Sequence, residues 1–206
     1  TRTGETVTLF NPGGSIANQV TFPAVDIDHS YGRKPDGGVN FCLMATPTPE
    51  TSNNSTTCYN GYAGTVIFNR PSGFYSSTQN ITLTSTIPGA SIRYTTNGNV
   101  PKTTDRLYTS AIQVSSTKTI RARVFLSGYL PGPTITTTYL INEDTHLPVF
   151  SIVTDSLNLW DYNTGIYVKG PNAESASPYF GANFWQDWAK PAAVEFFDKN
   201  QNSIVK

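Results

Sequence analysis

Fourteen acidic residues, two histidines and two cysteines are the groups in this chain that could take up a proton, hold a metal ion or attack an electrophile. Asp155, Asp161 and Asn163 crowd ahead of Gly165, as the oxygen ligands of a calcium loop would, but the bidentate Glu that closes such a loop is absent. Helix capping and turn formation account for the same residues. Asp26, Asp28 and Asp36 fall where strands are joined, and loops commonly carry such side chains. His29 and His146 stand apart from each other and from any Ser or Cys in a nucleophile motif. Glu143-Asp144 and Glu195 with Asp198 come nearest to a carboxylate pair, yet one sits at an apparent junction and the other at a strand end, which disfavours glycosidase chemistry. The sequence therefore reads as carrying no catalytic residue, no metal site and no cofactor.

Cys42 and Cys58 are too few for a zinc site, and their spacing is not that of a thioredoxin-like redox pair. Either they pair with each other or they are buried bystanders. A chain poor in Lys and Glu and rich in Thr and Asn suits an extracellular setting, which permits a disulfide, and the two cysteines flank a polar segment with little else to order it. The expectation is a bridge.

The aromatic residues offer a different chemistry. With 11 Tyr and 3 Trp, the chain has rings that could stack on sugar faces, and Tyr162, Tyr179, Trp185 and Trp188 cluster with Phe180 and Phe184 around a loop containing Gly and Asn. Core packing is the competing account of that cluster. Asp155-Ser156-Leu157 fits a short O-glycosylation motif, which makes Ser156 a candidate acceptor, and Asn53, Asn54 and Asn80 open N-glycosylation sequons.

The elements that must position these residues are strands. Only 14% of the residues are charged and 37% are hydrophobic, with 16 Gly and 14 Pro, a composition of short strands separated by turns. A net charge of zero with scattered Lys and Arg forms no basic stripe, so nucleic acid is not an expected partner. No apolar run is long enough to span a bilayer as a helix. The chain does not begin with Met and shows no signal peptide, so a missing N-terminal region is expected.

Residues 1–48 read as alternating strand segments, ETVTLF, QVTF and VNFCLM, with turns at Asn11-Pro12-Gly13-Gly14 and Pro35-Asp36-Gly37-Gly38. They are too few to close a sandwich. Residues 49–64, rich in Thr, Ser and Asn, read as a linker. Residues 65–142 regain the strand rhythm and read as one complete immunoglobulin-like sandwich. Residues 143–206 begin a third, incomplete α+β unit: strand VFSIV, a short helix capped by Asp155, then strands GIYV and AVEFF. The fold class is mainly all-β, with immunoglobulin-like β-sandwich modules in tandem.

Three resemblances follow that division. GETVTLFNPGG, VTF and SYGRKPDGG at 30–38 resemble the last third of a bacterial lamin-tail domain, an immunoglobulin-like attachment module. Gly73, ASIRYTTNG at 90–98, Pro101, Leu107-Tyr108, TIRARVF at 119–125, Gly128 and TTTYLI at 136–141 resemble the C-terminal domain of chitobiases and related hexosaminidases. That family usually has Asp where Asn97 stands, and either residue forms the turn. LPVFSIVTDSLNLWDYNTGIYV at 147–168 with DWAKPAAVEFFD at 187–198 is similar to the start of the CotH family, named for a spore coat protein and including atypical protein kinases. That family's nucleotide-binding residues lie beyond Lys206, and none is carried over.

These resemblances imply a non-catalytic accessory or spacer region of a secreted or cell-surface bacterial protein, positioning a CotH-like domain. Two alternatives are a fragment of a CotH-like kinase acting on a surface protein, and a carbohydrate-binding accessory module of a polysaccharide-processing protein. The expected partners are other domains of the same polypeptide, with a cell-surface protein or polysaccharide beyond them.

Overall fold

The computed structural model describes residues 3–205, and its regular elements are almost all strands. In chain order these are β1 (Glu5–Phe10), β2 (Ile16–Phe22), β3 (Ser30–Arg33), β4 (Phe41–Met44), β5 (Val66–Phe68), β6 (Gly73–Tyr75), β7 (Gln79–Ile81), β8 (Leu83–Ser85), β9 (Ser91–Thr95), β10 (Arg106–Leu107), β11 (Ile112–Val114), β12 (Lys118–Phe125), β13 (Ile135–Ile141), β14 (Val149–Val153), β15 (Ala193–Phe197) and β16 (Ser203–Val205). One short α-helix, α1 (Ser156–Trp160), lies between β14 and β15. The chain divides into two compact units, one running through Ala63 and taking in Leu126–Leu130, the other comprising Gly64–Phe125 and everything from Pro131 onward.

The first unit holds two antiparallel hairpins. β1 and β2 pair from Glu5↔Phe22 to Phe10↔Ile16, with a bulge between Leu9 and Phe10, and the Asn11 N–H closes the turn on Ser15 O at 2.7 Å. Gly14 has φ +82°, a conformation that explains the Pro-Gly-Gly turn. β3 and β4 pair from Ser30↔Met44 to Arg33↔Phe41. The buried apolar set is small, Leu43, Met44, Ala63 and Leu130, while Val7, Leu9, Phe10 and Ile16 stay exposed on the ribbon.

Thr- and Asn-rich residues 45–63 take their order from polar contacts rather than apolar burial. The Asn53 N–H donates to Asp36 Oδ1 at 3.0 Å, the Asp36 N–H to Asn54 Oδ1 at 2.9 Å, and Asn53 Nδ2 to Arg33 O at 2.9 Å. Side chains that bond local backbone in this way fix a loop without a core. Hydrogen bonds from Ser52 and from the Asn53 amide hold the Asp36 carboxyl below its ordinary pKa. Tyr59 exchanges backbone bonds with Leu43, and Cys42 is joined to Cys58 across a Cα–Cα distance of 5.4 Å.

The second unit opens with a β-sandwich. One layer is a five-stranded sheet in the order β10-β9-β12-β13-β6, and the pairs β5-β8 and β7-β11 make the other. Period-two alternation along β12 sends Ile120, Ala122 and Val124 inward, where they meet Ile81, Leu83, Ile92, Tyr94 and Val114. Each such buried aliphatic side chain contributes about 1.5–3 kcal/mol over exposure. Tyr139 is fully buried, and its hydroxyl donates to Arg70 O at 3.0 Å; burial, the first cause, pushes its pKa far up.

β13 breaks the alternation: six of its seven residues, Thr136 to Ile141, are buried, so both faces are covered. The inner face belongs to the sandwich. Over the other lies a second, three-stranded sheet in the order β14-β15-β16, registered from Val149↔Phe197 to Val153↔Ala193. The contact is polar as well as apolar: Ser72 bonds the Glu195 carboxylate, Thr138 Oγ1 and Ser151 Oγ lie 2.7 Å apart, and Phe74 meets Phe197 edge-on at 5.6 Å.

Residues 165–168, GIYV, are not a strand. Their amides turn back onto α1 instead, Gly165 N–H to Asp161 O at 2.7 Å, Ile166 N–H to Asn158 O at 3.0 Å and Tyr167 N–H to Leu159 O at 2.9 Å. An added Cβ at Gly165 would stand 2.5 Å from the Asp161 nitrogen, so this position requires glycine. The apolar residues of GIYV thus close a turn rather than pair across a sheet.

Candidate functional site

The segment joining β14 to β15 carries most of the chemically suggestive residues. Asp155, two residues after β14, caps α1, its Oδ1 accepting the Leu157 N–H at 3.0 Å. Its Oδ2 accepts the Val100 N–H at 3.2 Å, and Asn99 Oδ1 accepts the Ser156 N–H at 3.1 Å. Arg121, nearly buried, donates from its guanidinium to Gly98 O at 2.7 Å. Burial lowers the Arg121 pKa, and the Asp155 charge partly offsets this. The 97–100 turn of the sandwich is thereby held to the start of α1 by groups from both sides.

Asp161 serves its own loop. Its Oδ1 accepts from the amides of Asn163 at 3.0 Å and Thr164 at 2.8 Å and from Thr164 Oγ1 at 3.0 Å. These bonds, Thr164's amide first, hold its pKa below the ordinary carboxylate range. Asp155 thus accepts in capping and at the 97–100 turn, and Asp161 in closing the turn that includes Asn163. Among the described residues no group of three or more His, Cys, Asp or Glu side chains is placed to hold a metal ion.

Asn183 assembles the aromatic loops. It is 2% exposed, and its Nδ2 donates to Tyr162 O at 3.0 Å and Gly165 O at 3.1 Å while its own N–H bonds Lys169 O at 2.9 Å. Residues 161–170 are thereby fastened to residues 181–186. Sequence reading had no signal for this anchor, because a lone Asn between Ala and Phe carries no motif.

The rings around the anchor line a surface and not a core. Tyr162 is 63% exposed, Trp185 54% and Trp188 41%. Trp185 donates from Nε1 to Pro178 O at 2.9 Å and neighbours Phe180 and Phe184. Tyr179 is half-buried, with Lys169 Nζ 3.4 Å from its ring centroid, so that one of its faces is already covered. Trp160 and Tyr167 form another exposed pair at 5.6 Å. Ser156, at the first position of α1, is exposed.

The other candidates have structural partners. His29 Nδ1 and the Tyr62 hydroxyl lie 2.9 Å apart, and Tyr62 also accepts the Asp26 N–H. Glu195 is 2% exposed and bonded to Ser72, whereas Asp198 accepts from the amides of Asn200 and Asn202 in the β15–β16 turn. Glu143 accepts from Thr117 Oγ1. These carboxylates are held apart by separate duties. No described helix is long and apolar enough to cross a membrane.

Comparison with known proteins places one segment. Residues 70–137, from just before β6 into β13, match the family model of the chitobiase/beta-hexosaminidase C-terminal domain. No significant match to the chain exists among curated proteins or solved structures.

Proposed function

We propose, taking the family match of residues 70–137 as premise, that this chain is a non-catalytic accessory region of a secreted or cell-surface multi-domain bacterial protein. In this reading the chitobiase C-terminal-type sandwich is a rigid mount for a CotH-like domain that starts at β14, and a lamin-tail-like module precedes it.

The seam between the sandwich and the β14-β15-β16 sheet carries the reading. Glu195 from β15 reaches Ser72 beside β6, Ser151 reaches Thr138, and the side chains of Asp155 and Asn99 accept the amides of Val100 and Ser156 across the same boundary. Buried polar groups stay satisfied only while their partners hold position, so a seam of this kind costs free energy when it slips. A flexible tether between independent modules would have no use for it. The far face of the small sheet adds support: Phe150, Ile152, Val194 and Ile204 are exposed there, an apolar surface suited to a further layer of protein.

Native-state hydrogen exchange tests the mount. The amides of Val100 and Ser156, one donor from each side, should exchange only as slowly as the unit opens as a whole, together with those of β12. Exchange of these two amides by frequent local opening, while β12 stays protected, would make the seam a loose contact and remove the basis for the reading.

A further inference from the structure

Beside the aromatic loops lies a hollow of about 380 Å³ bounded by Thr164, Asp187, Trp188, Ala189 and Lys190. Its size falls within the range of small-molecule sites, roughly 300–1,000 Å³. Its floor and walls are mixed in kind: an exposed indole, a carboxylate, an ammonium and a hydroxyl. Among the described residues the Asp187 carboxylate makes no hydrogen bond or ion pair, and Lys190 Nζ stands 5.6 Å from the Trp188 ring centroid, at the outer edge of cation–π range.

The Thr164 wall is held in place before any ligand arrives. Thr164 is fixed by two bonds to Asp161 Oδ1, one from its amide and one from its hydroxyl, and the hydroxyl oxygen remains free to accept. Asn183 ties the same loop to the segment leading into Trp188. A preformed site does not have to order its side chains on binding, which favours even a small ligand.

A ligand for this hollow needs one flat apolar face for the indole and hydroxyl groups around its rim for the carboxylate, the ammonium and Thr164. A greasy ligand would leave Asp187 and Lys190 desolvated without partners, and a simple anion would gain nothing from Trp188 and would face Asp187. A pyranose ring meets all the demands, its axial C–H face on Trp188 and its equatorial hydroxyls on the polar rim. We propose that the hollow at Trp188 binds a pyranose unit of a glycan. Asp187 is the carboxylate that lines it, and the neighbouring Asp161 is engaged by Asn163 and Thr164, so the proposal is one of binding. This activity is separate from the mounting role of the seam.

Titration calorimetry of the 206-residue chain against chitohexaose, cellohexaose, laminarihexaose and mannohexaose tests the site. Saturable binding of at least one probe is expected, weakened roughly tenfold or more by Trp188→Ala, the scale on which a central Trp acts. Asp187→Asn, a milder change at an exposed position, should also weaken it, and Trp160→Ala, elsewhere on the surface, should leave it unaltered. Circular dichroism confirms that each variant is folded. Failure of all four probes to bind, or binding that survives both Trp188→Ala and Asp187→Asn, overturns the proposal. So does self-association in sedimentation that depends on Trp188 while no glycan binds, because the face would then belong to a protein contact.

Discussion

Asp155 Oδ2 accepts the backbone N–H of Val100 at 3.2 Å, so the residue that starts α1 also closes the 97–100 turn of the sandwich. Its other oxygen caps Leu157 at 3.0 Å, and its charge offsets the burial of Arg121. Asp155→Ala should therefore cost more than an ordinary helix cap, about 2 kcal/mol in urea unfolding, since loss of a cap is worth about 0.5–2 kcal/mol and a second amide loses its partner. Asp155→Asn keeps both acceptor geometries in part and should fall between. A loss no larger than that of an exposed surface substitution would show that Val100 gains nothing from the contact.

The Asp161 loop makes a prediction about pH. Hydrogen bonds from Thr164 and Asn163 favour the ionised carboxylate, so its pKa in the folded chain lies below that of an ordinary Asp. On acidification the unfolded chain takes up this proton first. The stabilisation is thus full above the unfolded pKa and is lost as the pH falls through the lower, folded one. An NMR titration of the Asp161 carboxyl carbon should give a midpoint below that of an unstructured Asp, and Thr164→Val should move it upward. A midpoint at or above the unstructured value would mean the loop bonds do not form in solution.

Cys42 and Cys58 lie 16 positions apart and bracket a segment with almost no buried apolar side chains. Thiol titration in denaturant without reductant should detect no free thiol in protein isolated from its native compartment. Closing a loop of this size contributes about 3 kcal/mol in the chain-entropy model, so reduction should lower the melting temperature of the first unit. Two reactive thiols, or a melt indifferent to reductant, would count against a structural bridge.

The all-β class, the helix at Asp155 and the inward residues of β9 and β12 are legible in the sequence because period-two alternation and turn residues report them directly. What escaped reading were relationships fixed by distant partners. GIYV has strand composition, yet the tight approach at Gly165 turns it back on α1. Nothing local says that Thr138 will be covered by Ser151 or that β13 will be buried on both faces. Tyr162, Trp185 and Trp188 were open to both a packing and a stacking account, and in this chain they lie at the surface. Asn183 has no signature at all, because an amide becomes an anchor only through the carbonyls it meets.

β6 is the one strand of its five-stranded sheet that runs parallel to its neighbour, Gly73 opposite Tyr139 and Tyr75 opposite Ile141. As the sheet's edge, β6 has no alternative partner within it. A chain emerging from its N-terminal end must therefore hold β6 unpaired until β13 has appeared, with every intervening strand already made. Closure of so long a loop is entropically slow, and local hairpins such as β12-β13 form sooner. Ser72, adjoining β6, donates its hydroxyl to Glu195, so part of the small sheet's seat is set by this late-closing edge strand.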